Sequence, residues 1–134
     1  MGNFTFLCTM LLFSVNSLAE DEGCNRVIQA GTGVIDGKLV RYLTFFDDPC
    51  IVIQTLKPGG RGGVNSENKV CSSDGKSFRS GYADVELKSG KFDGGKLYLE
   101  ISLTPLEPAG EVIEQCEVIF LNEEFDGLRC AEIE

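Results

Sequence analysis

The sequence predicts an all-β fold: a small, disulfide-containing antiparallel β-sandwich or meander barrel of seven to eight short strands. Three observations carry this reading. Leu97, Leu99, Ile101 and Leu103 alternate with Lys96, Tyr98, Glu100 and Ser102, and a period of two puts the apolar set on one face of a strand. Asp36-Gly37, Asp74-Gly75, Asp93-Gly94-Gly95 and Asp126-Gly127 punctuate the chain with hairpin turn signals. Beyond the first nineteen residues no long window carries a helical apolar stripe. A short helix competes only over 107–121, through Val112, Gln115, Cys116 and Ile119.

The chain opens with an apolar run, Phe4 to Val15, shorter than the ~20 residues that span a bilayer. Ser17 and Ala19 then supply the small side chains of a cleavage site. Residues 1–19 are therefore expected to be a signal peptide and 20–134 a single β domain, exported to the periplasm or outside the cell. The start, Met1-Gly2-Asn3, departs from the usual pattern in having no Lys or Arg.

Asn25 to Gly33 reads as the first strand, with Gly31 and Gly33 weakening it or placing a bulge. Asp36-Gly37 turns into a second strand, Lys38 to Phe46, which Asp47-Asp48-Pro49 ends. Cys50 to Leu56 is nearly all apolar or β-branched and suits a central, buried strand. Four glycines and a proline in Lys57 to Gly63 stop regular structure. Val64 to Ser73 is polar and is expected to loop back. Asp74-Gly75 leads through Lys76 to Ser80 into a hairpin, where Val85 and Leu87 alternate with Asp84, Glu86 and Lys88. Pro105 and Pro108 end it. Glu111 to Leu121 makes the next strand, Asp126-Gly127 the last turn, and Leu128 to Ile133 closes the sheet.

Five cysteines follow residue 19: Cys24, Cys50, Cys71, Cys116 and Cys130. In an exported chain they are expected to form bridges. Any four allow three pairings. The preferred ones are Cys116 with Cys130 and Cys50 with Cys71, leaving Cys24 as the odd one: free, paired between chains, or not part of the mature chain. No two are spaced closely enough for a zinc-binding pair.

Charge is unevenly placed. Residues 20–104 hold twelve acids and eleven bases, whereas 105–134 hold nine acids and one base, Arg129. An acidic face repels nucleic acid and anionic membrane and steers basic partners toward it. The expected partner-binding residues are Glu114, Glu117, Glu123, Glu124 and Asp126, together with Arg61 on the glycine-rich tip. No membrane insertion is expected once the signal is removed.

Catalytic groups are scarce. The chain has no histidine, which excludes a His-dependent triad or metal site. No G-x-S-x-G, Walker or dinucleotide pattern occurs. Glu114 with Glu117, or Glu86 with Glu100, are acid pairs by residue type only. Asp47, Asp48 and Asp93 offer oxygen ligands for calcium, but turn formation alone accounts for them. The chain is expected to be no enzyme and to need no cofactor or metal.

Val70-Cys-Ser-Ser-Asp-Gly-Lys-Ser-Phe78 resembles the cysteine-glycine-lysine opening of bacterial periplasmic lysozyme inhibitors of the C-type class. The likeness covers nine residues. The serine-glycine and threonine-lysine-glycine loops of that family do not follow, and no residue role is carried over. The function expected is an exported binding module, in its most concrete form an acidic inhibitor or immunity protein against a basic cell-wall hydrolase. The alternatives are a barrel carrying a small apolar ligand, with Phe45, Phe46, Phe78, Phe92 and Phe120 around it, or a surface component linked through the odd cysteine.

Overall fold

The computed structural model describes residues 26–59 and 62–133. Residues 1–19, Cys24 and Arg61 lie outside them. Among the described residues ten strands are present: β1 (Val27–Ile35), β2 (Lys38–Phe45), β3 (Asp48–Leu56), β4 (Val64–Val70), β5 (Ser72–Ser73), β6 (Lys76–Ser77), β7 (Tyr82–Asp93), β8 (Lys96–Pro105), β9 (Val112–Leu121) and β10 (Glu124–Ile133). Two four-stranded antiparallel sheets, ordered β1-β2-β3-β4 and β10-β9-β8-β7, form a β-sandwich. The small β5-β6 hairpin connects them.

The alternation in β8 has the predicted consequence. Leu97, Leu99, Ile101 and Leu103 are all buried and pack against Val40, Tyr42, Ile51 and Ile53 of the first sheet. β3 is the central strand expected from its composition, buried from Cys50 to Leu56. Burial of these apolar faces supplies the main drive for folding, at about 25 cal/mol per Å² removed from water. The preferred cysteine pairs are both formed: Cys50–Cys71 and Cys116–Cys130. These bridges are compatible with an oxidising, exported compartment. Among the described residues no helix is long and apolar enough to cross a membrane.

Four sequence expectations change. The polar stretch 64–70 is a strand, because β3 offers it a full ladder and its side chains bond across the pair. Thr55 and Ser66 share a hydroxyl–hydroxyl bond at 2.6 Å, and Gln54 Nε2 donates to Glu67 Oε1 at 2.9 Å. The last turn is not Asp126-Gly127. It lies at Asn122 and Glu123 (φ 53° and 69°), while Asp126-Gly127 sits at a register shift within β10. The break at Asp47-Asp48-Pro49 contracts, with Asp47 at φ 67° and β3 starting at Asp48. Proline is tolerated there, at a strand start. Finally, Gly31 and Gly33 place no bulge. The irregularity in β1 lies between Val27 and Gln29, and the two glycines serve packing instead.

Candidate functional site

The sandwich is closed along one side and open along the other. On the closed side, β1 approaches β7. Gln29 Nε2 donates to the Lys88 carbonyl at 3.5 Å, and the Tyr42 hydroxyl donates to that of Gly90 at 3.4 Å. Glycines permit this approach: a Cβ on Gly31 or Gly90 would strike the Tyr42 ring, and one on Gly33 would strike Phe92.

On the open side, β4 faces the β9–β10 hairpin across a groove of about 450 Å³. Asn65 to Asn68 form one wall and Asn122 to Phe125 the other. A second hollow, about 270 Å³, continues the seam past Phe125 toward Asp74 and Cys130. Phe125 is anchored edge-on against Phe120, their ring centres 6.0 Å apart. The seam is thus polar on the β4 wall, aromatic at its middle, and acidic at the hairpin tip.

The tip collects three predicted residues. Glu123 and Glu124 line the groove, and Asp126 follows on the same exposed hairpin. None of the ion pairs among the described residues involves these three carboxylates. Glu123 also holds a backbone conformation that favours glycine. Two successive residues with positive φ mark the tight I′ hairpin turn, for which Asn-Gly is the usual pair; here it is Asn-Glu.

The other predicted acids lie elsewhere. Cys116 and Val118 face the core, so by the strand period Glu114 shares their face and Glu117 lies on the opposite one. They therefore cannot act as an acid pair on one substrate. Glu117 is bracketed by Lys96 at 3.3 Å and Arg129 at 3.6 Å. Its charge is largely spent within the sheet.

Glu114 stands directly across from Glu132 and accepts a hydrogen bond from Ser73 at 3.4 Å. Burial pushes its carboxyl above the ordinary range. The charges of Asp74 and Glu132 push the same way, and the Ser73 bond opposes them. The folded protein therefore holds this proton more tightly than the unfolded chain. The associated stability is complete below the unfolded value and is lost as pH rises through the folded one. Glu114→Gln is expected to flatten this decline and to raise neutral-pH stability by up to about 1 kcal/mol, the scale of a cross-strand like-charge pair. Urea unfolding of both proteins across the acidic-to-neutral range checks this. The adjacent Cys116 and Cys130 sulfurs are bonded to each other, so Glu114 has no thiolates beside it to share a metal.

Asp48, one of the turn aspartates, is committed to structure. Burial raises its pKa, but the Cys50 N–H, the Lys69 hydrogen bond and the charges of Lys69 and Arg79 outweigh it, so the carboxyl is held below the ordinary range. The five phenylalanines of the carrier reading divide: Phe78, Phe92 and Phe120 belong to the core cluster, while Phe45 and Phe46 line an outer hollow. Phe46 is exposed, with Arg26 stacked over its ring, Phe78 is in the core, Phe92 packs on Tyr42, and Phe120 pairs with Phe125.

Sequence reasoning missed the β4 wall. Glu67 ends a ladder across the outer face in which Arg41 Nε donates to Gln54 at 2.8 Å and Gln54 donates to Glu67. One signal was present: Val64 and Val70 share strand parity at the two ends of the segment. No protein-family model, curated protein or solved structure matches this chain.

Proposed function

We propose that the protein is an exported, non-enzymatic binding module that docks a basic partner protein on its acidic β9–β10 hairpin. The observation that carries this reading is the set of carboxylates at the hairpin tip. Glu123, Glu124 and Asp126 have no cationic partner within the described residues, while Glu117 on the same hairpin is neutralised by two. A carboxylate held where the backbone favours glycine supports the same reading, because local cost retained at one position tends to mark function. The neighbouring groove, lined by asparagines on both walls and by Phe125, offers hydrogen bonds and an apolar contact for the stem of an inserted Lys or Arg.

In its most specific form the partner is a secreted or periplasmic hydrolase of cell walls. Such enzymes act on anionic polymers, and a basic cleft would be attracted to this hairpin from a distance. The protein would then serve as an inhibitor or immunity protein, with a tip carboxylate occupying contacts made for substrate.

The test is affinity capture from the source organism's extract and medium, with elution by a salt step, followed by titration of the purified partner. A basic protein released at moderate salt is expected. A Glu123→Gln/Glu124→Gln variant is expected to bind it about tenfold more weakly or worse. Equal affinity at low and high ionic strength, or an unaffected variant, would overturn the proposal. Loss of the partner's hydrolytic activity on binding would establish the inhibitor form.

A further inference from the structure

Soluble proteins blunt the edges of their sheets with charge, proline, bulges or cover, because an open edge is a template for another strand. Among the described residues, three of the four edge strands of the two large sheets are blunted. β4 carries Glu67 and Lys69. β7 has two register shifts and carries Asp84, Glu86, Lys88 and Lys91. β10 has its shift at Phe125/Gly127 and carries Glu124, Asp126, Arg129 and Glu132.

β1 is different. Val-Ile-Gln-Ala-Gly-Thr-Gly-Val-Ile has nine residues with no charge and no proline, and its one register shift falls at its first residues. Its outer-face side chains are open to solvent, with Ile28 64% and Val34 51% exposed.

This strand is also nearly its own reverse about Gly31. If two copies run antiparallel with Gly31 on a two-fold axis, Ile28 of each stands opposite Val34 of the second copy. Ala30 then faces Thr32 and the long Gln29 faces Gly33, while the bulge between Val27 and Gln29 turns Val27 to the outer face and ends the match before it reaches Ile35. Apolar β-branched side chains thus meet at both ends of the outer face, as stable cross-strand pairs do. An isologous contact requires this kind of self-complementarity.

The geometry points to a two-fold dimer in which the β1 strands of two copies pair antiparallel and join their first sheets into one of eight strands. Charge is compatible with this end of the molecule. Over 26–59 and 62–70 the chain has five bases (Arg26, Lys38, Arg41, Lys57, Lys69) and four acids (Asp36, Asp47, Asp48, Glu67). Two copies therefore meet there without strong repulsion, although each chain has a net charge of −9. β1 lies on the closed side of the sandwich, beside β7, so both β4–β10 seams stay open. The dimer stands independently of the partner proposed above.

Sedimentation equilibrium of the purified protein, with amide exchange measured over the same concentrations, tests this. A monomer–dimer equilibrium is expected, with exchange across 27–35 slowing as the dimer fills while β4, β7 and β10 are unchanged. Ala30→Lys puts a charge on each side of the axis and is expected to weaken dimerisation about tenfold or more. A monomer up to about 1 mM, where association is worth only about 4 kcal/mol, would overturn the proposal. So would open-ended oligomers, protection at another edge, or an Ala30→Lys variant that dimerises like its parent. If that variant fails to fold, exchange in the unmodified protein still decides.

Discussion

Replacing Cys116 and Cys130 together by alanine is expected to lower stability by about 2–5 kcal/mol, the usual result of removing a native bridge from a small secreted domain. The bridge spans 14 residues of sequence, and the chain-entropy model assigns about 3 kcal/mol to a closed loop of roughly this length. What makes the bridge matter is the weakness of β10 without it. No residue of β10 is fully buried, so hydrophobic burial holds this strand poorly. Beyond the partly buried Phe125 and Leu128, its attachment rests on the ladder to β9 and on the bond between the directly paired Cys116 and Cys130. Denaturant unfolding measures the loss. Amide exchange in β10 should accelerate more than in β8, whose Leu97, Leu99, Ile101 and Leu103 are all buried. A loss under about 1 kcal/mol would mean that side-chain packing alone secures the hairpin. Because β10 forms one wall of the seam, the same variant should also weaken partner binding.

Gly90→Ala is expected to destabilise the protein by about 1–3 kcal/mol, as overpacked cores do. Gly90 does not have positive φ, so backbone preference alone argues the other way: alanine in a strand interior should gain roughly 0.5–1 kcal/mol over glycine. Sterics decide the sign. A Cβ at Gly90 would lie 2.4 Å from Tyr42 Cζ, and one at Gly31 would lie 2.5 Å from Tyr42 Cε2. The ring is held between two glycines on facing strands, so it cannot retreat from one without striking the other. Removing the ring should remove the cost. In a Tyr42→Leu background Gly90→Ala is expected to be nearly neutral, giving a coupling of the order of 1–3 kcal/mol in a double-mutant cycle. Additive effects would show that the clash is relieved elsewhere.

Much of the fold was legible in the residues. Strict alternation in 96–103 identified β8 and its buried face, and β-branched density identified β3. Both disulfides were anticipated, Cys116–Cys130 from its place near a hairpin and Cys50–Cys71 from the glycine-rich loop it encloses. The misreadings have physical causes. Val64–Val70 reads as loop because an edge strand needs little apolar content once its neighbour supplies hydrogen bonds and pairs such as Thr55–Ser66. Asp126-Gly127 carries a strong hairpin-turn dipeptide, but a glycine at φ 121° also serves a bulge, and the true turn used Asn122-Glu123. Of the predicted contact residues, Glu123, Glu124 and Asp126 fell together. Glu114 and Glu117 were separated because an odd spacing on a strand sends side chains to opposite faces.

From sequence alone came the class of fold, the bridges, the absence of histidine chemistry and the concentration of acid in the last thirty residues, because each depends on local pattern or composition. Only the tertiary structure decided which carboxylates have a cationic neighbour among the described residues. Glu117 is neutralised by Lys96 from β8 and Arg129 from β10, while Glu123 and Glu124 are set beside asparagines of β4. Those neighbours come from other strands, and in one case from the other sheet. Packing also gave Gly31, Gly33 and Gly90 their meaning, since the rings they admit come from other strands.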